Sequence, residues 1–286
     1  MAFGAGCLAR SRYERDCLVT EEYRIASEKI HGQGKTIVFL TDLHNKEFGE
    51  ENSRLLETVR KVKPDAVLFG GDGMVAKRGN SDVRIPLALL TELAKEFPVY
   101  CGNGNHESRM VWKTDVYGET YEHYRMALED AGIRYLSNEA ADLDSDIRIY
   151  GLDLPKSAYR PRSGEIPEGL LKETLGEPDP EKFCLLLAHS PLFFEEYAAW
   201  GADLTLSGHF HGGTIRLPLV GGVMTPQYQF FYPRCAGYFE LPGKGRATRG
   251  LSESASHDRS AGHCRRAAGY DHPAVHLPVR RSAGTV

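Results

Sequence analysis

Five short apolar runs, separated in several places by helical patterns, are the feature that most restricts the fold of this chain. Each run is continuous and rich in large or β-branched residues, which is typical of strands buried on both faces. The runs cover residues 35–41, 65–69, 97–101, 183–188 and 202–207. Apolar residues recur at helical spacing in 51–62, 83–96 and 117–131. This alternation of strands and helices predicts an α/β fold.

The chain divides into three parts. Residues 1–34 form an N-terminal extension with an edge strand near 21–26, and residues 35–244 form the main domain. Residues 155–182 are rich in Pro, Gly and charge and predict a surface excursion. Residues 245–286 lack a run of four apolar residues, so we expect a low-order tail, with disorder as the default.

Composition excludes several classes of protein. The chain has 286 residues with 41% hydrophobic and 26% charged residues, and its formal net charge is −4. A negative balance without a long basic block argues against a broad nucleic-acid surface. No apolar run reaches 18 residues, so no transmembrane span is predicted. The six cysteines lack a C-x-x-C pair, which favours reduced thiols and a cytoplasmic protein.

Each buried run is followed by a loop that carries Asp, Asn or His. The groups are Asp42 with His44, Asp72, Asn105 with His106, His189, and His209 with His211. Ligands bind where the carboxyl ends of strands converge in α/β sheets. Oxygen and imidazole donors without a thiolate suit Mn, Fe or Zn rather than a structural cysteine site. Their number suits two ions, with a hydroxide between them as nucleophile.

Each of these residues also has a plainer interpretation. Asp42 and Asp72 follow strands, where Asp commonly caps a helix, and Asn105 could hold a turn. His189 taken alone would be a hydrogen-bonded core histidine. Nearby polar residues are candidates for substrate contact, although solvent exposure or a plain surface loop explains them at least as well. They are Asn45, Arg109, Tyr159, Arg160 and Arg162.

The ordered motifs resemble those of the calcineurin-like metallophosphoesterase family. They are Asp42-Leu43-His44, Gly71-Asp72, Gly104-Asn105-His106-Glu107, Ala188-His189-Ser190-Pro191 and Gly208-His209-Phe210-His211. The resemblance covers about residues 35–241 and is greatest to the YkuE-like bacterial phosphohydrolases, which share an extended G-H-x-H-G-G segment. It implies a four-layer α/β architecture in which a two-sheet β-sandwich is flanked by helices.

The resemblance also implies roles for individual residues. One metal ion would be held by Asp42, His44, Asp72 and His211, and the other by Asp72, Asn105, His189 and His209. Asp72 would therefore bridge the two ions. His106 would not be a ligand but would face the phosphate, where it would stabilise developing charge or protonate the leaving oxygen. Glu107 would orient His106 or simply begin a helix.

The resemblance implies a hydrolase of phosphodiesters or pyrophosphates that are nucleotide- or lipid-linked, in the cytoplasm or peripheral to a membrane. The alternatives are a phosphomonoesterase, a non-catalytic metal-binding or interaction module on the same fold, and a nuclease, which the lack of a basic surface disfavours. Relatives end in further strands, whereas Thr248-Arg249-Gly250-Leu251-Ser252 only echoes their closing motif. We therefore interpret the tail as the product of a shifted reading frame or a rearrangement.

Overall fold

The computed structural model describes residues 18, 20–31, 34–211, 215–217, 221–232, 237–241, 249–252 and 274–280. The strands are β1 (Thr20–Glu22), β2 (Ile25–Ala26), β3 (Lys35–Leu40), β4 (Ala66–Phe69), β5 (Val99–Gly102), β6 (Arg134–Leu136), β7 (Glu139–Asp142), β8 (Ile147–Leu152), β9 (Phe183–Ala188), β10 (Leu204–Ser207), β11 (Ile215–Leu217), β12 (Gly221–Met224), β13 (Gly237–Glu240), β14 (Arg249–Ser252) and β15 (Ala274–Arg280). The α-helices are α1 (Ser53–Val62), α2 (Arg84–Ala94), α3 (Asn105–Trp112), α4 (Thr114–Tyr117), α5 (Thr120–Asp130), α6 (Leu170–Leu175) and α7 (Phe194–Trp200).

The strands form two main sheets. The first has the order β1-β15-β3-β4-β5-β6, with β2 also paired to β15, and the second has the order β13-β14-β10-β9-β8-β7. Strands β3 to β6 are parallel, and so are β8, β9, β10 and β14. Strands β11 and β12 form a separate antiparallel ribbon. Both parallel sets end in loops at their carboxyl edges, where the sequence places the Asp and His motifs.

The two sheets pack face to face because both faces of their strands are apolar. In β3, Ile37 and Phe39 lie in the layer between the sheets, where they pack with Leu185 and Leu206 of the second sheet. Complete burial of one such side chain contributes about 1.5–3 kcal/mol. The alternate residues of each strand face outward and are covered by helices, as expected for strands buried on both faces.

Helices cover the outer face of each sheet. Helices α1, α2 and α5 pack on the first sheet through buried residues such as Leu55, Leu89 and Leu128. Helices α6 and α7 cover the second sheet through Leu171 and Tyr197. The layers therefore run helix, sheet, sheet, helix, and the predicted α/β fold with a two-sheet core flanked by helices is confirmed.

Two segments of the tail are described as strands. Strand β14 pairs in parallel with β10, and strand β15 pairs antiparallel with β3, inside the first sheet. Valine and leucine at positions 275, 277 and 279 alternate with other residues, a pattern typical of a strand with one apolar face. The segment contains no continuous apolar run, so it is not predicted as a buried strand. The interpretation of the tail as the product of a shifted reading frame or a rearrangement stays a prediction. The rest of 245–286 lies outside the described residues.

Candidate metal centre

The loops after β3, β4, β5, β9 and β10 meet at one edge of the sheet pair. Hydrogen bonds between backbone groups connect these loops directly. The N–H of Asp42 donates to the carbonyl of Gly71 at 3.0 Å, and the N–H of His44 donates to the carbonyl of Asp72 at 3.0 Å. The N–H of Gly208 donates to the carbonyl of His189 at 3.0 Å. The predicted convergence of the loops is therefore present in the structure.

Most of the predicted ligand positions have a left-handed backbone, which residues with side chains rarely adopt. The φ angles of these residues are 55° for Asp42, 50° for His44, 54° for Asp72, 67° for His209 and 51° for His211. Each such conformation costs about 1–3 kcal/mol, and clusters of them are typical of functional sites. The loops therefore hold these side chains in a backbone conformation that costs free energy, as is typical of functional sites.

Glycines allow the loops to approach each other closely. A Cβ atom at Gly104 would overlap the carboxylate and the backbone nitrogen of Asp72, and one at Gly208 would overlap the carboxylate of Asp42. Neither loop can move away freely, since each is hydrogen-bonded to its neighbour. A side chain at either glycine would therefore displace a predicted ligand.

Replacing Gly104 by Ala is expected to destabilise the protein by about 3 kcal/mol, because the added methyl group overlaps both the backbone nitrogen of Asp72 and its hydrogen-bonded carboxylate. This corresponds to a fall in Tm of roughly 6–12 °C for a domain of this size. Gly102→Ala is the matched control, since its Cβ would lie 3.6 Å from the Leu187 side chain, an ordinary contact. Thermal unfolding followed by circular dichroism measures both, and equal Tm values for the two variants would contradict this interpretation.

The predicted ligands form clusters in which donor atoms lie within 4.8 Å of one another. One cluster consists of Asp42, His44 and His211, and another consists of Asp72, His189 and His209. Each cluster contains three members of one of the two ligand sets predicted from the family resemblance. A third cluster joins His44, Asp72 and His106. The clusters are contiguous, since Nε2 of His44 lies 3.2 Å from Nε2 of His211 and 3.9 Å from Oδ2 of Asp72.

Asn105 lies beside the second cluster, at the first residue of α3. Its side-chain amide lies 2.7 Å from Nδ1 of His209 and 3.1 Å from Oδ2 of Asp72. All the residues predicted as ligands are thus brought together. They are Asp42, His44, Asp72, Asn105, His189, His209 and His211.

The donor atoms fit metal ions better than they fit a hydrogen-bonded core. Nδ1 of His189 bonds the carbonyl of Gly70 at 2.8 Å, which directs Nε2 into the cluster. Nε2 of His189 is buried and lies 3.2 Å from Oδ2 of Asp72, without hydrogen-bond geometry to any described residue. In His209 the nitrogen that faces the cluster is Nδ1, which lies 2.7 Å from the Asn105 amide. A buried imidazole nitrogen without a well-formed hydrogen bond is costly, and a cation bound between Nε2 of His189 and the Asp72 carboxylate would satisfy it. The set contains oxygen and nitrogen donors and no thiolate, as expected for Mn, Fe or Zn.

Burial and neighbouring charges shift the pKa values of these groups strongly. Loss of solvation, together with the charge of Asp72, raises the pKa of Asp42 to about 8, although His189 opposes the shift. Burial alone would raise the pKa of Asp72, but His189, His106 and His44 outweigh it and hold this pKa well below 3.8. Burial alone would lower the pKa of His189, but the charges of Asp72 and Asp42 raise it to about 10.

His106 lies at the edge of this centre, and a hydrogen bond from the backbone fixes its ring. The N–H of Ala76 donates to Nδ1 of His106 at 3.0 Å, and the His106 ring lies 5.2 Å from that of His44. Because Nδ1 accepts, the proton of the neutral ring is on Nε2. Burial lowers the pKa of His106 below 6.5, which keeps the ring neutral at pH 7.

Glu107 is a helix-start carboxylate, as one of its two sequence interpretations held, and it also binds the loop that carries Asp72, a role that the sequence did not indicate. Its carboxylate accepts hydrogen bonds from the N–H groups of Asp72 (2.8 Å), Gly73 (2.9 Å) and Gly104 (3.0 Å). Glu107 is 1% exposed. It therefore joins the loops that carry Asp72 and Asn105, whereas the backbone of Ala76 orients the His106 ring. The G-N-H-E motif marks the residue, but it does not indicate which backbone groups the carboxylate binds.

The other candidates lie around the centre in different ways. The side-chain amide of Asn45 donates to the backbone carbonyl of Asp82 at 2.9 Å. The Arg109 guanidinium donates to the backbone carbonyl of Ala76 at 3.0 Å, so both side chains stabilise loops by hydrogen bonds. The Tyr159 ring lies 5.1 Å from the His209 ring and borders the site. Two further candidates, Arg160 and Arg162, are exposed on the same segment as Tyr159.

Comparison with known proteins agrees with this geometry. The family model for the calcineurin-like phosphoesterases matches residues 35–213, which is more than half of the chain and contains every predicted ligand. The chain belongs to the calcineurin-like phosphoesterase family. As a member of that family it is a metal-dependent phosphohydrolase.

Individual relatives support the family assignment. The metallophosphoesterase YkuE of Bacillus subtilis is 29% identical over 78% of this chain and 75% of its own length. The phosphodiesterase YaeI of Escherichia coli is 32% identical over 71% of this chain and 70% of its own length. The resemblance of this phosphoesterase to the YkuE-like subgroup is thereby confirmed. A crystal structure of TT1561 from Thermus thermophilus covers 61% of this chain and 81% of that one, with a TM-score of 0.39 and 14% identity.

In the described part of this phosphoesterase, no helix combines the length and the apolar character needed to cross a bilayer.

Proposed function

We propose that this protein hydrolyses a phosphodiester or a pyrophosphate at a centre that holds two metal ions. The observation that carries the proposal is the pair of contiguous Asp/His clusters, in which the buried Nε2 of His189 faces Oδ2 of Asp72 at 3.2 Å. Asp42, His44, Asp72 and His211 would hold one ion. The other would be held by Asp72, Asn105, His189 and His209. When bound, such a pair activates a water molecule and neutralises charge on the phosphate.

The residues of the chain prepare this centre in distinct ways. Asp72 lies between the clusters, and its Oδ1 accepts a hydrogen bond from the backbone N–H of His106 at 2.7 Å. Both carboxylate oxygens of Asp42 accept from the N–H of His209 at 3.1 Å. Each carboxylate is therefore oriented by the loop that carries another donor. This orientation before binding reduces the rearrangement that binding and catalysis require.

His106 would donate a hydrogen bond to the phosphate rather than transfer a proton. The N–H of Ala76 already occupies Nδ1, so protonation of that nitrogen would place two donors face to face. A neutral ring with its proton on Nε2 stabilises negative charge that develops on a phosphoryl or leaving oxygen. The geometry therefore favours the first of the two roles that the family resemblance implies.

A chelation experiment tests the proposed function. The purified chain is stripped with EDTA and assayed on bis(4-nitrophenyl) phosphate and on 4-nitrophenyl phosphate, with Mn, Fe or Zn added back separately. We expect no turnover without metal, recovery with at least one of these ions, and faster turnover of the diester. A chain that binds metal but turns over neither substrate would instead favour a non-catalytic module. Faster turnover of the monoester would favour a phosphomonoesterase.

Metal affinity is expected to rise with pH. The pKa of Asp42 is about 8 and that of His189 is about 10 without metal, so an ion must displace protons from both. The apparent Kd for Mn²⁺ should fall by at least about tenfold per unit between pH 6 and 8, because lower proton activity removes this competition. Isothermal titration in buffers of different ionisation enthalpy measures the affinity and the protons released. An affinity that stays constant from pH 6 to 8 would contradict these pKa shifts.

A further inference from the structure

The segment that follows β12 displays three aromatic rings to solvent. We define residues 225–231 as the aromatic turn. Tyr228 is 53% exposed, Phe230 is 61% exposed and Phe231 is 67% exposed. Single exposed apolar side chains are ordinary, but three aromatic residues within four positions form a patch. Such patches on a soluble domain mark surfaces that contact another molecule.

Internal hydrogen bonds hold the aromatic turn in one shape. The N–H of Thr225 donates to the carbonyl of Gln229 at 2.9 Å, and the N–H of Tyr228 donates to the carbonyl of Thr225 at 2.9 Å. Tyr228 and Phe231 have φ angles of 62° and 55°. Bulky side chains rarely adopt this left-handed conformation. The exposure of the rings is therefore a property of a closed turn and not of a loose loop.

Hydrogen bonds connect the aromatic turn to residues 158–160, which border the metal centre. The side-chain amide of Gln227, which is 3% exposed, donates to the carbonyls of Ala158 at 3.1 Å and Arg160 at 3.0 Å. Between these two carbonyls lies Tyr159, whose ring is 5.1 Å from that of His209. The aromatic turn and the metal centre therefore share one supporting segment, and whatever binds the turn lies beside the centre.

Positive side chains lie on residues 156–162, the segment that the aromatic turn shares with the metal centre. The N–H of Arg162 donates to the carbonyl of Gln227 at 2.8 Å, and the Arg162 side chain is exposed. Lys156 and Arg160 are also exposed, and Arg160 is paired with Glu165 at 2.8 Å. Within the described part of the chain, no acidic group lies within ion-pair distance of Lys156 or Arg162. The aromatic turn and the segment hydrogen-bonded to it thus display both exposed rings and exposed cations, the combination that the interface of an anionic bilayer binds.

We propose that the aromatic turn docks this protein on an anionic phospholipid bilayer. The rings enter the headgroup region, while Lys156 and Arg162 contact the lipid phosphates. A second copy of the chain is a poorer occupant, since seven residues offer far less than the roughly 800 Å² per partner of a stable protein interface. Docking needs neither metal nor turnover, so it stands or falls separately from the proposed catalytic function.

Sedimentation with vesicles tests the docking on the full chain as purified, without substrate. We expect binding to phosphatidylcholine vesicles that contain about one third phosphatidylserine and weaker binding to phosphatidylcholine alone. The double substitution Phe230→Ser and Phe231→Ser should lower the partition coefficient roughly tenfold or more. Met126→Ser, which alters a 58% exposed side chain on α5, is the matched control and should leave binding unchanged.

Two further variants keep the test decisive if the double variant fails to fold. Phe230→Trp retains an aromatic ring, and its emission should shift to the blue on anionic vesicles relative to the background of the wild-type chain. Arg162→Gln should reduce the preference for anionic over neutral vesicles. The proposal is overturned if the wild-type chain does not bind anionic vesicles, or if Met126→Ser weakens binding as much as the double substitution. It is also overturned if the aromatic turn instead mediates dimerisation in sedimentation equilibrium.

Discussion

Asp72→Asn is expected to lower kcat/KM for a diester by about 10³-fold or more, because the substitution removes the charge of the carboxylate proposed to contact both metal ions. Asparagine suits this position structurally, since it tolerates the left-handed φ of 54° and its side-chain oxygen can still accept from the N–H of His106. The metal-free variant should therefore fold, with a lower Tm than the wild-type chain, because the buried charge pair of Asp72 with Nε2 of His189 at 3.2 Å is lost. Its Tm should also lose the increase that added Mn²⁺ gives the wild-type chain.

Asp65→Asn is the matched control for this substitution. Asp65 immediately precedes β4, at the end opposite to Asp72, and accepts a hydrogen bond from the N–H of Thr36 at 2.8 Å. It is exposed and remote from the clusters, so kcat/KM should stay within about threefold of the wild-type value. An Asp72→Asn variant that retains activity within tenfold of the control would show that Asp72 does not hold the metal ions.

His106→Ala is expected to lower kcat by about 10²–10³-fold, the loss seen when one donor to a developing charge is removed. His106→Gln should recover part of this activity, because its amide N–H can replace the donor at Nε2. Metal content should be unchanged in both variants, since Nδ1 of His106 is occupied by the Ala76 N–H and the residue is not a proposed ligand. Steady-state kinetics combined with elemental analysis measures both properties.

The choice of leaving group separates the two possible roles of His106. If the ring only donates a hydrogen bond to the phosphoryl group, the loss in His106→Ala should be similar for 4-nitrophenyl and phenyl esters. A loss that grows as the leaving group becomes more basic would show proton transfer instead. His123→Ala, which alters an exposed histidine paired with Glu119 on α5, is the control and should leave both rates unchanged.

The sequence predicts the residues of the centre because one local pattern, an apolar strand followed by a loop with Asp, Asn or His, recurs along the chain. Strands β3, β4 and β9 are apolar runs, and each is followed within three residues by Asp or His. The parallel arrangement that follows from such runs brings their ends together. No remote contact is needed to place Asp42 and Asp72 side by side.

Features that depend on contacts between distant loops cannot be predicted in this way. The backbone groups that Glu107 binds belong to two loops, so no single motif reveals them. The left-handed conformation of Asp42 and His209 depends on the loops they pack against and leaves no mark in composition. Strand β15 is missed because its alternating pattern lacks a continuous apolar run, and its partner β3 lies more than 200 residues earlier.

Anomalous scattering from crystals grown with Mn²⁺ tests the central claim most directly. The account predicts two peaks that share Asp72, one also contacting Asp42, His44 and His211, and the other contacting Asn105, His189 and His209. Peaks only at remote positions, or no peak beside Asp72 in a crystal with these side chains ordered, would contradict it.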